Sequence, residues 1–323
     1  MSETRDRIDI AAEGPPFRHT PYDGSARPFT VGLAPLDPAE WIEPDAHFAR
    51  HMAEKDRLLA GGTDVPVFLA EEGTQDAQRE VLDMLLAYLP DRFPDLYVRD
   101  GDTIRLTATG RSYPAGDIAD APLLLAARLV QEDLVLMRKG ADGYRIAAAV
   151  LCFPSSWSLA EKFGRSMHDI HTAVPGFNDG RMGPMVARIF DNLAVERPSW
   201  RLNWSLYSDA ELHHPHPKTL DASATDPHRV NADALETAND PTGGLHVRVE
   251  RQTLRRLPAS GDILFTIKVH HDPVAAFAAH PDGARLAAGL RDQLLALDAD
   301  QLAYKGLTGA RDRVAALLGA LAG

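Results

Sequence analysis

Residues 245–271 read LHVRVERQTLRRL, PASGD, ILFTIKVHH. The two outer runs alternate apolar and polar residues, the period of a strand with one face buried. Between them Pro, Ser, Gly and Asp supply the chemistry of a turn, so the stretch predicts a β-hairpin. Residues 133–153 repeat the arrangement, with DLVLMRK and YRIAAAVLCF flanking GADG, and RLNWSLY at 201–207 adds a further strand. Adjacent hairpins imply an antiparallel sheet, and the lack of regular βαβ units argues against a parallel doubly wound fold. The expected class is α+β, an antiparallel sheet flanked by N- and C-terminal helices.

Working outward, residues 1–45 carry Pro and Gly at a density that prevents regular helix or central strand, and they predict an extended lead-in. A body is expected over 46–275. Asp45 is placed to cap a helix running through AHFARHMAEKDRLLA, and a second helix begins near Thr74, with Val81, Leu82, Leu85, Leu86 and Leu89 on one face and Pro90 and Pro94 ending it. A short strand is expected at 103–107 and a helix at 122–130. Residues 276–323 predict a helical segment packed on the body, with Leu286, Leu290, Leu294 and Leu297 as its stripe. Between Leu212 and Thr242 lies a long polar stretch of the kind that is usually functional or mobile.

Among 323 residues, 34 Lys and Arg stand against 46 Asp and Glu. A net charge of -12 disfavours nonspecific attraction to nucleic acid, which needs clustered cations. No apolar run approaches the ~18 residues of a membrane span. The first residues lack both an apolar signal segment and an Arg/Ser-rich transit pattern, so a cytoplasmic protein with neither nucleic-acid nor membrane partners is expected. The single cysteine cannot build an iron–sulfur cluster, a cysteine-rich zinc site or a disulfide. Cys152 lies in an apolar run and reads as a buried, inert thiol.

Neither GxGxxG after a strand nor GxxxxGK[ST] occurs, and GxSxG and HExxH are absent too. Histidine, with 13 copies, is the remaining resource. His47 and His51 read as a solvated helical face, His213, His214 and His216 as loop polarity, and His270 and His271 must point to opposite faces of a strand. His168 and His171, in SMHDIHTAVPG, can share a helical face, and the Val-Pro-Gly turn would fix the backbone after His171. A second constellation is cationic and aromatic, comprising Trp157, Lys162, Trp200, Arg201, Asn203, Trp204 and the strand residues Arg248, Glu250, Arg251, Gln252 and Thr253. Arg248, Glu250 and Gln252 face one side of that strand, and Arg251 and Thr253 the other. Arginines there need an anion, either an internal partner or a ligand carboxylate.

The segments GLAPLDPAEWIEPD, AEKDRLL, AQREVLDMLLAYLPDRFP, LLAARLVQEDLVLM, FPSSWSLAEKFGRSMHDIHTAVPGF, WRLNWSLY and VRVERQTLRRLPASGDILFTIKVHHDP, in this order, resemble the haem-dependent oxidative N-demethylase family, the haem subunit of dimethylamine monooxygenase-type systems. The likeness spans about 30 to 310 and is most specific in W-S-L-x-x-K-x-G with I-H-x-x-V-P-G, in R-x-N-W, and in R-V-E-R-Q-T-L-x-R-L-P. It implies an enlarged PAS-like antiparallel domain holding haem b, and a monooxygenase that uses molecular oxygen to demethylate a small methylated amine with release of formaldehyde. NAD(P)H electrons would arrive indirectly through a separate reductase, since this chain has no nicotinamide fingerprint and too few cysteines for a cluster. Under this reading His171 is the axial ligand, with His168 as the alternative. Lys162, Arg201, Arg248 and Arg251 are candidates for the propionates, and Glu250 and Trp204 for the wall that meets an alkylammonium. Two other readings stay open: a haem-binding PAS-like sensor or carrier without turnover, and a non-haem metalloprotein built on the His168/His171 region.

Overall fold

The computed structural model describes residues 16–25, 28–116, 121–220, 242 and 244–323. Both expected hairpins are present at the centre of a seven-stranded antiparallel sheet. Across it run β1 (Ala34–Pro35), β8 (Ser199–Tyr207), β9 (His246–Arg256), β10 (Ile263–Pro273), β6 (Asp133–Gly140), β7 (Gly143–Val150) and β2 (Phe68–Ala70). A second sheet of three strands, β3 (Tyr97–Asp100), β4 (Thr103–Leu106) and β5 (Arg111–Pro114), was foreseen only at its middle strand. Its outer strands are too short and too polar to show an alternation of their own.

Strand parity divides the large sheet into two unlike faces. On one face Leu134, Leu136 and Leu264 pack beneath α1 (Phe48–Leu59), α2 (Gln75–Arg92) and α3 (Pro122–Ala127). Farther along that face Trp204, Leu206, Val247 and Val249 pack with α7 (Gly283–Leu295), α8 (Ala299–Tyr304) and α9 (Arg311–Ala322). The stripe Leu286, Leu290, Leu294 and Leu297 is buried there as the spacing predicts. The opposite face presents Val135, Met137, Ile146, Leu254, Ile263 and Ile267 to a thinner layer. This layer holds α4 (Leu159–Lys162), α5 (Met167–Ile170) and α6 (Met182–Asn192).

Several local expectations are corrected. Asp45 does not cap α1, whose N-cap is His47. Its carboxylate accepts the His47 N–H at 2.9 Å and pairs with Lys268 at 2.7 Å, so burying the Lys268 ammonium outranks capping. Pro90 does not end α2, which continues to Arg92. In the last turn a proline removes only one hydrogen bond, a small loss. The helix expected over 122–130 stops at Ala127. His51, read as solvated, is 1% exposed, because the apolar stripe of α1 is wide enough to take it inside. Of the long polar stretch, residues 221–241 lie outside the described residues, while Leu212 and Leu220 are buried.

Candidate functional site

The thin layer does not close on the sheet. Between them lies a cavity of about 440 Å³, within the size range of small-ligand and cofactor sites. Its apolar walls come from the sheet (Met137, Ile146, Leu254, Ile267) and from the facing layer (Val174, Val186). Residues 28–34 run along its rim.

His171 lines this cavity. The local sequence explains its position. Ser166 caps α5 by accepting the Asp169 N–H at 3.2 Å, and His171 is the residue on which that single helical turn ends. Val174 N–H then bonds the His171 carbonyl, Phe177 N–H bonds Val174, and Gly176 takes the positive φ of 69° that the turn requires. The Phe177 ring lies parallel to the imidazole at 4.2 Å. Nδ1 stands 2.8 Å from the Met167 carbonyl oxygen. A carbonyl can only accept, so Nδ1 carries the proton and Nε2 keeps its lone pair, with no hydrogen-bond partner among the described residues. Burial, aided by the charges of Lys162 and Arg201, lowers the imidazole from its ordinary 6.5 to about 4 and keeps it neutral at pH 7. This is the tautomer and charge state of a metal-ligating histidine. His168 is exposed and lies outside the cavity, so the two histidines do not converge on one site.

Lys162 is delivered by the W-S-L-x-x-K stretch. Ser158 and Glu161 form a capping box around α4, and the next residue, Lys162, sets its ammonium 4.3 Å from the Trp157 ring centroid. Arg201 comes from β8. None of its nitrogens has a hydrogen-bond or ion-pair partner among the described residues, and Nε is fully buried. Burial lowers the pKa of both groups, that of Lys162 to about 8. An unpartnered buried guanidinium is costly, so its position in a cavity wall points to an anion as the intended occupant.

Register sets the remaining polar wall. Arg201 lies opposite Gln252, and Asn203 opposite Glu250, so the four share one sheet face. Glu250 is 7% exposed and accepts the Gln252 side-chain N–H at 2.7 Å. Trp204 belongs to the other face. Its indole N–H donates to Gln293 at 2.7 Å, and the ring reaches only the cavity's margin, beside Lys305.

Two of the candidate cations are elsewhere. Arg248 is 2% exposed and is absent from the cavity wall. Its guanidinium donates to Ser155 Oγ and to the carbonyls of Phe153, Pro154, Glu211 and Leu212, while lying 5.3 Å from the Tyr207 ring centroid. Arg251 points to the opposite sheet face, where it pairs with Glu43 at 3.0 Å and donates to the carbonyls of Glu40 and Trp41. The expectation of a ligand anion for these two fails because loops folded over the sheet already fill their donors. Sequence reasoning also missed Lys305, which lines the cavity just beyond α8. Its ammonium donates to the Trp204 carbonyl and lies 4.7 Å from the Trp204 ring centroid. A lone lysine after a helix gives no signal of this kind.

One further group of metal-type donors exists among the described residues. The ligand atoms of His19, Glu43 and His270 lie within 4.8 Å of one another. Arg18 at 2.6 Å and Arg251 at 3.0 Å already grip the Glu43 carboxylate, and two guanidiniums against it disfavour a cation there. The group ties the start of the described chain to the sheet.

Among the described residues the cavity therefore offers a neutral imidazole with a free lone pair, cations without ion-pair partners, one carboxylate and two apolar walls. The family described as haem-dependent oxidative N-demethylase, alpha subunit-like, matches residues 32–315, most of the chain.

Proposed function

Because the chain belongs to the haem-dependent oxidative N-demethylase, alpha subunit-like family, we propose that the cavity is where it holds haem b and demethylates a small methylated amine. The observation that carries this reading is His171, whose Nδ1–H is committed to the Met167 carbonyl while Nε2 is left free on the cavity wall. The rest of the lining fits the same group. Two apolar walls suit a flat macrocycle, and Arg201 and Lys162 have among the described residues no anionic partner of the kind its two propionates would supply. A cysteine ligand is excluded by position, since Cys152 is fully buried behind the sheet and burial raises its thiol pKa. We read the sheet and its thin helical layer as a PAS-like cradle, a reading supported by the antiparallel topology and by a cavity between the two that reaches round to Trp204 and Lys305.

When bound, haem supplies the activation of oxygen. The protein's residues do the rest. Glu250, steadied by Gln252, accepts the N–H bonds of the alkylammonium and keeps a methyl group within the apolar part of the cavity. Asn203, opposite Glu250, gives the amine a second polar neighbour. Hydroxylation of the N-methyl carbon gives a carbinolamine, which collapses to the shorter amine and formaldehyde. The balance takes one oxygen molecule, two electrons and two protons per methyl removed, and yields one water. The electrons come from NAD(P)H through a separate reductase, for the chain has no dinucleotide fingerprint.

The test is haem titration of the purified protein, followed by an assay of formaldehyde release from methylated amines with oxygen and an artificial reductant. We expect one haem per chain, extractable by acid-acetone. His171→Gly should lose the native Soret spectrum and regain a six-coordinate one with added imidazole, while His168→Ala keeps the native spectrum. The reverse result moves the ligand to His168. Haem binding with no formaldehyde from any amine replaces the enzyme with a sensor or carrier, and the lack of any Soret band refutes the haem reading.

A further inference from the structure

The charged groups lining the cavity are unbalanced. Among the described residues, Lys162, Arg201 and Lys305 stand against the single carboxylate of Glu250, and His171 is neutral. None of the three cations has an ion-pair partner among the described residues, and Lys305 is only 8% exposed. Their Coulomb field converges on Glu250, which acts on all three. An alkylammonium approaching Glu250 in this lining would meet a net positive wall among the described residues.

We propose that the haem propionates and the amine are thermodynamically coupled through this lining: the propionates offset the positive field that Lys162, Arg201 and Lys305 set up around Glu250, and only then does Glu250 take an alkylammonium. The idea rests on the haem and amine reading above and adds an order to it. Two propionate charges offset the surplus of positive charge among the described lining groups, so the arriving ammonium is attracted to Glu250 instead of repelled. Because linkage is reciprocal, a bound amine in turn tightens the hold on the propionate-bearing cofactor by the same factor. Lys305 has a defined part. It is a surplus cation, anchored by its bond to the Trp204 carbonyl where it lines the cavity, and it sets the charge threshold that the cofactor must overcome. The arrangement makes protein lacking its cofactor reject amines.

The experiment compares the chain loaded with iron protoporphyrin IX and with its dimethyl ester, which has the same ring and iron but no propionate charge. Dimethylammonium is titrated into each by calorimetry and by Soret shift, with dimethyl ether as the uncharged isostere. We expect dimethylammonium to bind the acid form at least tenfold more tightly than the ester form, and dimethyl ether to bind both alike. In the haem-loaded protein Lys305→Met should tighten dimethylammonium severalfold, a gain that damage to the fold would not produce. Equal ammonium affinity in the two porphyrin forms, or Lys305→Met with unchanged or weaker ammonium binding, overturns the coupling while leaving the haem reading intact. If neither porphyrin gives a Soret band, it is the proposed function that fails.

Discussion

His270 and His271, adjacent on β10, should each make the protein lose stability as pH falls from neutrality toward 5. Both rings are buried. Desolvation, with the nearby Lys268 for one and Arg50 for the other, lowers His270 from 6.5 to about 3 and His271 to about 2. His270 also faces Glu43, Asp45 and His19, so it sits among charges of both signs, whereas His271 faces Arg248, His246 and His47 and meets only groups that disfavour its protonation. The folded-state pKa lies below the unfolded one, so each histidine contributes stability that is full above pH 6.5 and is lost as pH falls toward 3. Between pH 7.5 and 5 the unfolded chain takes up nearly a whole proton at each ring that the folded chain refuses, which costs about 2 kcal/mol per histidine. Two such losses are a large share of the 5–15 kcal/mol typical of a folded domain. Asp133 and Asp272, both pushed up to about 6 by burial, oppose the trend in the same window by binding protons in the folded state. The decisive quantity is therefore the change in pH slope between variants. Urea unfolding across that pH range should show His270→Gln and His271→Gln each losing about 2 kcal/mol less than the wild type. Identical slopes in all three proteins would mean that the rings are protonated, or reached by water, in the folded state.

Arg251→Met leaves the Glu43 carboxylate without its buried partner and should destabilise by about 3–5 kcal/mol in urea unfolding, yet leave haem affinity unchanged in the folded fraction. Arg248→Met should act in the same direction by stripping donors from four loop carbonyls, and a folded protein with weakened haem affinity would contradict either placement. Arg201→Leu should instead weaken haem binding at least tenfold in a Soret titration while unfolding at wild-type urea or above, since the removed guanidinium has no internal partner. Cys152 should resist a thiol-specific disulfide reagent until the chain is unfolded, and prompt labelling of native protein would contradict its burial.

The sequence shows some parts of this architecture and hides others for identifiable reasons. The hairpin of residues 245–271 is legible because one of its faces is buried along its whole length, so alternation survives in the letters. Its parity also separates Glu250 and Gln252 from Arg251 and Thr253 correctly. Parity alone does not tell what lies over each face. Arg248 shares the parity of Glu250 but meets loop carbonyls that arrive from residues 153–154 and 211–212, and Arg251 meets residues 40–43. Such partners are fixed by chain packing across 36 to 210 residues, beyond the reach of local pattern. His171 was legible because its constraint is local, an N-capped turn followed by Val-Pro-Gly. Lys305 was hidden because nothing in its neighbours along the chain records its approach to Trp204.

The wall that carries His171 is built unlike the rest of the molecule. α5 buries none of its own residues, α4 buries Leu159 and α6 buries Phe190. Helices this short do not persist on propensity alone, and tertiary contact ordinarily holds them. Here the missing contact is the cavity itself, so an occupant with two apolar faces would complete the hydrophobic core. If the cavity holds the cofactor as proposed, residues 159–192 should open as a unit whose free energy depends on occupancy, and amide hydrogen exchange in this segment should slow on loading while that of β9 and β10 barely changes. Loss of the cofactor would be felt first as local unfolding on this side of the sheet, which makes this segment the natural point of entry for a protease.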